Sequence, residues 1–304
     1  MTTTTAAIET RGLVKSYGRT PALLGLDMRV ETGEVYGFLG PNGAGKTTTI
    51  RILLDLIRPT AGQVRVLGVD PARDGVELRR RIGYLPGDFV ADGRQTGRQL
   101  VEHLGYLRGG VPRQRVDELA ERLALDLSRP IKALSRGNRQ KVGLVQAFMH
   151  DPELLVLDEP TTGLDPLMQQ TFLELVREAT AAGRTVFMSS HVLSEVQRGA
   201  DRAGLVRAGE LVTVESVESL RERAPRRVEA QLATPLQADE FAALPDVRDV
   251  RVDGAVLHCR VDGSPDALVK ALARHTVLDL VVDEADLEEI FLGYYSQKEH
   301  VDVA

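Results

Sequence analysis

The sequence predicts an α/β fold with a mixed sheet at its centre and a second, smaller α+β domain after it. Short apolar runs at 35–39, 154–157 and 185–189 alternate with segments of helical periodicity, a pattern typical of a parallel sheet covered by helices. A polar, charged segment that contains proline, 222–227, then separates a shorter C-terminal part. With 304 residues and 43% hydrophobic content, the chain is large enough for two packed domains.

The elements of the first part follow in order along the chain. Residues 8–30 alternate apolar and polar positions in two stretches, which predicts antiparallel strands ahead of the strand at 35–39. Leucine and valine recur at helical spacing from 96 to 149, so we expect a helical insertion over about 90–150. The other expected elements are a helix at 48–57, a strand at 62–67, a helix at 74–81, a strand at 82–85, a helix at 166–182 and a strand pair at 202–214.

The C-terminal part is predicted to form a domain of its own. We expect a first domain at 1–218, a linker at 219–227 and an accessory α+β domain at 228–304. About 80 residues is within the usual size of a domain. Its expected elements are strands at 228–232, 247–252 and 255–261 and helices at 266–275 and 284–294.

Composition narrows the classes of function. The net charge of −6 argues against a general nucleic-acid binder. Cys259 is the single cysteine, which excludes an internal disulfide and fits a reducing compartment. No apolar run reaches the ~18 residues of a membrane-spanning helix, and residues 1–5 lack the pattern of a secretory signal. We therefore expect any role at a membrane to depend on a partner.

The segment 40–47 matches the pattern G-x-x-x-x-G-K-[ST], which cradles phosphate groups. Glycine lets the backbone wrap closely around an anion, and a helix that begins near Lys46 adds its positive dipole end. Lys46 would reach the β- and γ-phosphates, and the Thr47 hydroxyl would coordinate Mg²⁺. The residues expected to contact the nucleotide are Gly40, Pro41, Asn42, Gly43, Ala44, Gly45, Lys46, Thr47 and Thr48. A glycine-rich turn with an incidental lysine would not explain the strand before it and the helix after it.

Two carboxylates, Asp158 and Glu159, follow the apolar run 154–157. Open α/β sheets bind ligands at the carboxyl ends of their strands. Asp158 would hold the Mg²⁺ shell, and Glu159 would contact the attacking water as general base or as the group that positions it. Acidic surface residues at a strand end are the alternative, but these lie about 110 residues after a phosphate-binding loop.

Together these motifs resemble those of the ATP-binding cassette (ABC) family, over residues 8 to about 214. The segment 134–138 is similar to the family signature Leu-Ser-Gly-Gly-Gln; Ser135 and Gly137 match it, whereas Arg136 and Asn138 depart from it. In the family, a dimer partner presents this segment to the γ-phosphate. Arg136 would either add positive charge there or be solvated. Taken alone, Ser135 could be an ordinary helix N-cap.

Three further positions resemble family motifs. Asp165 matches the D-loop aspartate at the dimer seam and could also cap the helix that Pro166 begins. His191 matches the switch histidine, which contacts the γ-phosphate and orients the attacking water; a lone histidine at a strand end is otherwise usually structural. Tyr17 is similar to the aromatic residue that stacks on adenine, although a tyrosine on an edge strand can also be ordinary packing.

The sequence departs from the family at the Q-loop. Where the family usually has glutamine, this chain has Gly87, followed by Asp88. In one interpretation Asp88 is a Mg²⁺ ligand in its place, because carboxylates suit this ion. The alternative is a shell completed by water, with a hinge at Gly87. The sequence leaves both interpretations open.

The resemblance implies an ATP-hydrolysing subunit of a membrane transporter, with ATP and Mg²⁺ as cofactors. Two copies would enclose ATP between Lys46 of one and Ser135 of the other, and would drive a separate multi-spanning permease from the cytoplasmic face of the membrane, without nucleic acid. The C-terminal part, with its segment 287–291, resembles the extension of daunorubicin-resistance exporter ATPases. A soluble ABC ATPase acting on ribosomes or DNA is the alternative, and a catalytically weak regulatory subunit is a third.

Overall fold

The computed structural model describes residues 6–90, 93–223 and 225–283. The chain divides into two compact units, Met1–Glu215 and Ser216–Ala304. Within the described residues, no helix is both long and apolar enough to cross a bilayer.

The first unit contains two sheets. The smaller one is antiparallel, with the order β2-β1-β4, and consists of β1 Ala6–Tyr17, β2 Thr20–Glu31 and β4 Ala61–Val66. The larger one consists of β3 Val35–Leu39, β5 Ile82–Leu85, β6 Leu154–Asp158, β7 Thr185–Ser190, β8 Arg202–Arg207 and β9 Glu210–Ser216. Its order is β5-β6-β7-β3-β8-β9, and the neighbours from β5 to β8 are parallel. The predicted α/β fold class with a mixed sheet core and an antiparallel β subdomain is confirmed.

Seven helices of the first unit surround these sheets in the described residues. They are α1 Lys46–Leu53, α2 Pro71–Arg80, α3 Gly97–Leu107, α4 Arg113–Arg122, α5 Arg136–Phe148, α6 Pro166–Ala181 and α7 Leu193–Gly199. Helices α3 to α5, with a short 3₁₀ turn at Ile131–Ala133, form the predicted helical insertion. Thr96 starts α3 with a capping box, since its hydroxyl and the Gln99 side chain each accept a backbone N–H of the other residue.

The burial of the central strands explains why short apolar runs in the sequence predicted them. Every residue of β3, β6 and β7 is buried, as expected for parallel strands covered on both faces. The ring of Phe187 packs against the rings of Tyr36 and Phe38, with centroid distances of 5.9 and 5.4 Å. One apolar core lies between β3, β7 and the antiparallel sheet, and a second lies beneath the helical insertion.

Several helix boundaries differ from the prediction, and two of them have a clear local cause. Helix α1 ends at Leu53 rather than 57, because Asp55 adopts a left-handed φ of 56° that a helix cannot continue. Helix α2 begins at Pro71 rather than 74: the Asp70 carboxylate accepts the Ala72 N–H at 2.9 Å, and proline suits the first helical position.

The second unit is built on a four-stranded antiparallel sheet with the order β11-β12-β10-β13. Its elements are α8 Val217–Arg223, β10 Arg226–Leu232, α9 Ala238–Ala242, β11 Val247–Asp253, β12 Val256–Val261, α10 Asp266–Leu272 and β13 Val277–Val282. The segment 219–227, predicted as a linker, instead includes the end of α8 and the start of β10. Val217 and Leu220, three residues apart, are both buried, which gives α8 an apolar side despite its charged composition. The predicted helix at 284–294, with the segment 287–291, lies outside the described residues.

Candidate active site

The phosphate-binding segment connects β3 to α1. Gly43 and Gly45 adopt φ values of 83° and 107°, where glycine carries no steric penalty. A Cβ on Gly45 would lie 2.9 Å from the carbonyl oxygen of Ala22, so a side chain does not fit there. No side chain caps α1. Its first N–H groups are therefore free to bind an anion.

Strand register brings the predicted acidic and hydroxyl residues to this loop. Leu39 of β3 lies beside Ser190 of β7, and Asp158 of β6 lies beside Ser189. The Gly40 N–H also donates to the Ser190 carbonyl at 3.2 Å. The two motifs, more than 100 residues apart in sequence, thus meet at the carboxyl edge of three adjacent parallel strands.

Lys46 is almost fully buried, with 6% of its side chain exposed. Its ammonium donates to the Gly40 carbonyl at 2.6 Å and lies 3.3 Å from a carboxylate oxygen of Glu159. The main-chain carbonyl and the carboxylate both stabilise the cation. The same ammonium is thereby held at the phosphate-binding loop.

Asp158 lies at the centre of a hydroxyl–carboxylate cluster. The Thr47 hydroxyl donates to one of its oxygens at 2.9 Å, and the Ser189 hydroxyl donates to the other at 2.5 Å. The described residues contain no group of three or more His, Cys, Asp or Glu arranged to hold a metal. A divalent ion here would take one hydroxyl and one carboxylate from the protein and its other ligands from phosphate and water, which is how Mg²⁺ usually binds.

Glu159 connects this cluster to the histidine. Its backbone has a left-handed φ of 50°, rare outside glycine, and its N–H donates to both the carbonyl and the hydroxyl of Ser189, at 3.2 and 3.1 Å. One carboxylate oxygen faces Lys46, and the other lies 2.7 Å from Nδ1 of His191. Glu159 therefore bridges the two residues predicted to act on the γ-phosphate.

Sequence analysis missed the side chains that hold this arrangement. The Glu195 carboxylate, on α7, accepts hydrogen bonds from the Thr161 and Ser190 hydroxyls, each at 2.5 Å. The Gln140 amide donates to the Glu159 carbonyl at 3.3 Å. Glu195 and Gln140 lie outside the motifs that identified Glu159 and His191, so no local signal in the sequence indicated these contacts.

The signature segment is not joined to this cluster. Ser135 and Arg136 are exposed, and the Ser135 hydroxyl accepts the Asn138 N–H at 3.2 Å as the N-cap of α5. No hydrogen bond in the described residues links Ser135 to the phosphate-binding loop. A Cβ on Gly137 would lie 2.4 Å from the carbonyl oxygen of Gly163, so this glycine allows the signature to lie against the D-loop segment.

Asp165 and Tyr17 lie at the surface. The Asp165 carboxylate accepts the Met168 N–H at 3.0 Å and caps α6, so the structural role considered for it is present. Tyr17 is 48% exposed, which argues against core packing, and the Lys15 ammonium lies 5.2 Å from its ring centroid. The ring of Tyr17 is available to a ligand in solvent.

The two Q-loop positions differ in their surroundings. A Cβ on Gly87 would lie 3.3 Å from a carboxylate oxygen of Asp158, so residue 87 adjoins the candidate metal ligand. Asp88 is exposed, and no hydrogen bond or ion pair joins it to Asp158 or Thr47 in the part of the chain that the structure describes. Burial and the Asp158 charge raise the pKa of nearby Tyr84 to about 12, so its phenol stays protonated.

Comparison with known proteins gives a consistent result. A family model described as ABC transporter matches residues 23–162. The chain is 37% identical to the daunorubicin resistance ATP-binding protein DrrA3 of Streptomyces coeruleorubidus, over 94% of this chain and 95% of that protein. It is 34% identical to the bacitracin transport ATP-binding protein BcrA of Bacillus licheniformis, over 94% and 96% of the two chains. A solved ATP-binding subunit of an ABC transporter superposes with a TM-score of 0.67 at 29% identity, over 71% of this chain and 92% of that one. This chain belongs to the ATP-binding subunits of the ABC transporter family.

Proposed function

We propose that Lys46, Asp158, Glu159 and His191 form the hydrolytic half of an ATP site that uses Mg²⁺, and that two copies of the chain together drive a separate permease. The observation that carries this proposal is the Glu159 carboxylate, which bridges the Lys46 ammonium and the His191 ring at the phosphate-binding loop. A lysine for the phosphates and a carboxylate–histidine pair for the water are the parts that ATP hydrolysis needs.

The residues present fit ATP and Mg²⁺. The loop is open beside Gly43, where a phosphate could approach its backbone, and Thr47 with Asp158 supplies the oxygen ligands that Mg²⁺ prefers. Bound Mg²⁺ would neutralise charge on the β- and γ-phosphates. Lys46 would then turn from the Gly40 carbonyl to the phosphate oxygens.

Once Lys46 turns to phosphate, the Glu159 carboxylate loses its cationic partner and is free to accept a hydrogen bond from water. His191 would hold the second carboxylate oxygen and fix the orientation of the first. Glu159 would thus position the water and take its proton.

At the Q-loop, the geometry favours the water-completed shell over Asp88. The Gly87 backbone lies so close to Asp158 that a Cβ there would be 3.3 Å from a carboxylate oxygen, whereas Asp88 is exposed. A water molecule bound beside Asp158 would supply the ligand position that a glutamine fills elsewhere in the family.

The signature segment supports pairing of two copies. Ser135 and Arg136 are exposed at the N-terminus of the 13-residue helix α5, whose dipole favours an anion. Since this segment makes no bond to its own phosphate-binding loop, the γ-phosphate it serves would belong to a second copy. The relatives' names, daunorubicin resistance and bacitracin transport, support export through a separate permease, with this chain held on the cytoplasmic face of the membrane.

Replacing Glu159 with glutamine tests the hydrolytic role. The change keeps the shape of the side chain but removes its basicity, so hydrolysis should fall by at least ~100-fold while ATP binding is kept. Turnover and nucleotide affinity are measured on the same preparation. A turnover within about threefold of wild type, under ~1 kcal/mol of barrier, would contradict the proposed role.

Purification from detergent-solubilised membranes tests the partner. The tagged chain is expected to bring down a protein with several membrane spans. Recovery with ribosomes or DNA instead would support a soluble ABC ATPase and contradict the transport proposal, even if Glu159 is catalytic.

A further inference from the structure

A surface cavity of about 500 Å³ lies in the helical insertion. It is lined by the ends of α3 and α5, the start of α4 and the end of α2: Arg80, Arg108, Gly110, Val111, Pro112, Arg115, Met149, His150 and Asp151. His150 bonds to Ile82, the first residue of β5, so the cavity is at the amino end of the parallel strands. The phosphate-binding loop follows the carboxyl end of β3, so the two sites are at opposite edges of the sheet.

Arg108 brings an unpaired positive charge to the cavity. Its side chain is partly buried, and no hydrogen bond or ion pair to its guanidinium occurs in the described residues. Burial lowers the pKa of this guanidinium below its ordinary value. A partly desolvated cation without a carboxylate partner favours an incoming anion.

His150 brings an unpaired acceptor. Nε2 lies 3.2 Å from the Ile82 carbonyl oxygen, which can only accept, so Nε2 carries the proton and Nδ1 carries a lone pair. Nδ1 is buried and has no hydrogen-bond partner. Burial, together with Arg108, lowers the pKa of His150 to about 4, so the ring is neutral near pH 7. A ligand that both accepts and donates hydrogen bonds would satisfy the cation and the neutral acceptor together.

The other charges around the cavity do not neutralise Arg108. Asp151 is the one carboxylate among its described lining residues, and Arg184 already engages both oxygens of that carboxylate. Arg80 pairs with Glu77 at 3.0 Å, outside the lining. Helix α4, ten residues long, starts at the cavity with neither a side-chain cap nor an acidic residue in its first turn, so its free N–H groups also favour an anion.

We propose that this cavity binds inorganic monohydrogen phosphate, at a site separate from the ATP site. Its charged oxygens would accept hydrogen bonds from the Arg108 guanidinium, and its remaining P–OH would donate to Nδ1 of His150. At mildly alkaline pH, sulfate and phosphate monoesters (second pKa about 6) are dianions that carry no such proton, and they would leave the buried acceptor unpaired. The site therefore distinguishes free phosphate from these anions.

Nuclear magnetic resonance of imidazole-labelled protein tests the proposal with an internal control. The chain has six histidines, of which His150 reports the cavity and His191 reports the ATP site. Phosphate titrated at mildly alkaline pH should shift the His150 ring with half-saturation below ~10 mM. Sulfate and glycerol 3-phosphate should be at least about tenfold weaker at His150, whereas His191 should respond to all three without that preference.

A matched pair of arginine variants distinguishes binding in this cavity from a general attraction of anions to a positively charged surface. Arg108→Gln should abolish the His150 response, while Arg113→Gln, an exposed arginine of α4 outside the lining, should leave it within about twofold. An unmoved His150 ring, an equal response to sulfate, or a full response in Arg108→Gln would each overturn the proposal. A tighter response to glycerol 3-phosphate would show that the ligand is a phosphate monoester, such as a lipid headgroup, and would equally overturn the assignment to free phosphate.

Discussion

The phosphate-loop cluster and the signature segment are built in opposite ways. In the first, Lys46, Asp158, Glu159 and His191 bond to one another or to shared neighbours at 2.5–3.3 Å. In the second, Ser135 is exposed and makes only the N-cap bond of its own helix. One chain therefore assembles by itself the half of the site that we propose handles water, and leaves the signature half facing solvent. This difference is what we expect if the second half serves another copy.

Of the variants that test this difference between the two halves, Ser135→Asp should have the largest effect on the rate of hydrolysis. Aspartate caps a helix as well as serine does, so the stability of the chain should hold. Its negative charge would repel a partner's γ-phosphate, and hydrolysis should fall about 100-fold, or ~2.7 kcal/mol. Turnover and thermal midpoint are measured together. Ser135→Asn, which caps without a charge, should retain more activity than Ser135→Asp, and equal turnover in all three proteins would exclude a role for Ser135 at phosphate.

Ser189→Ala should weaken the phosphate-loop cluster, which a single chain assembles by itself. It removes the donor to Asp158 and one acceptor of the Glu159 N–H. Since hydrogen bonds to charged groups contribute ~1.5–3 kcal/mol, hydrolysis should fall roughly tenfold or more. Thr180→Ala, which removes a hydroxyl bonded to the Val176 carbonyl within α6, is the control and should keep its turnover. Unchanged turnover in Ser189→Ala would show that the cluster does not depend on Ser189.

The sequence predicted well those elements that are encoded by residues close together in the chain. The runs 35–39 and 154–157 coincide with β3 and β6, except that β6 includes Asp158, because a strand buried on both faces must be continuously apolar. The phosphate-binding loop, likewise, is encoded within eight neighbouring residues.

Contacts between distant segments could not be predicted in this way. Ser189 and Asp158 are 31 residues apart, and Glu195 and Thr161 are 34 apart; only the register of β6 and β7 brings the first pair together. The edge strand β13 was also missed, since its six residues are all exposed and show no alternation of apolar and polar positions. Tertiary pairing, rather than periodicity, determines these features.

Gly137→Ala tests the close approach in the signature half. The added methyl would meet the Gly163 carbonyl oxygen at 2.4 Å, so the D-loop segment must shift, at a cost of ~1–3 kcal/mol in the free energy of unfolding. Gly105→Ala, within helix α3, meets its nearest neighbour Val111 at an ordinary 3.4 Å and should instead stabilise the chain by ~0.5–1 kcal/mol. Chemical denaturation measures both variants. Equal stabilities would mean that Gly137 is not confined by Gly163.

The smallest effect on ATP binding is expected for a change at Asp88. Its Mg²⁺ dependence decides whether Asp88 or water completes the metal shell. Because Asp88 is exposed, Asp88→Asn should leave the Mg²⁺ concentration for half-maximal ATP binding within about twofold of wild type. Gly87→Ala would place a methyl 3.3 Å from an Asp158 oxygen, where the proposed water binds, and should raise that Mg²⁺ concentration severalfold. Fluorescent-nucleotide titration over a Mg²⁺ series measures both. A large increase for Asp88→Asn with none for Gly87→Ala would make Asp88 the ligand, and the phosphate-loop half would then depend on a residue that moves inward when nucleotide binds.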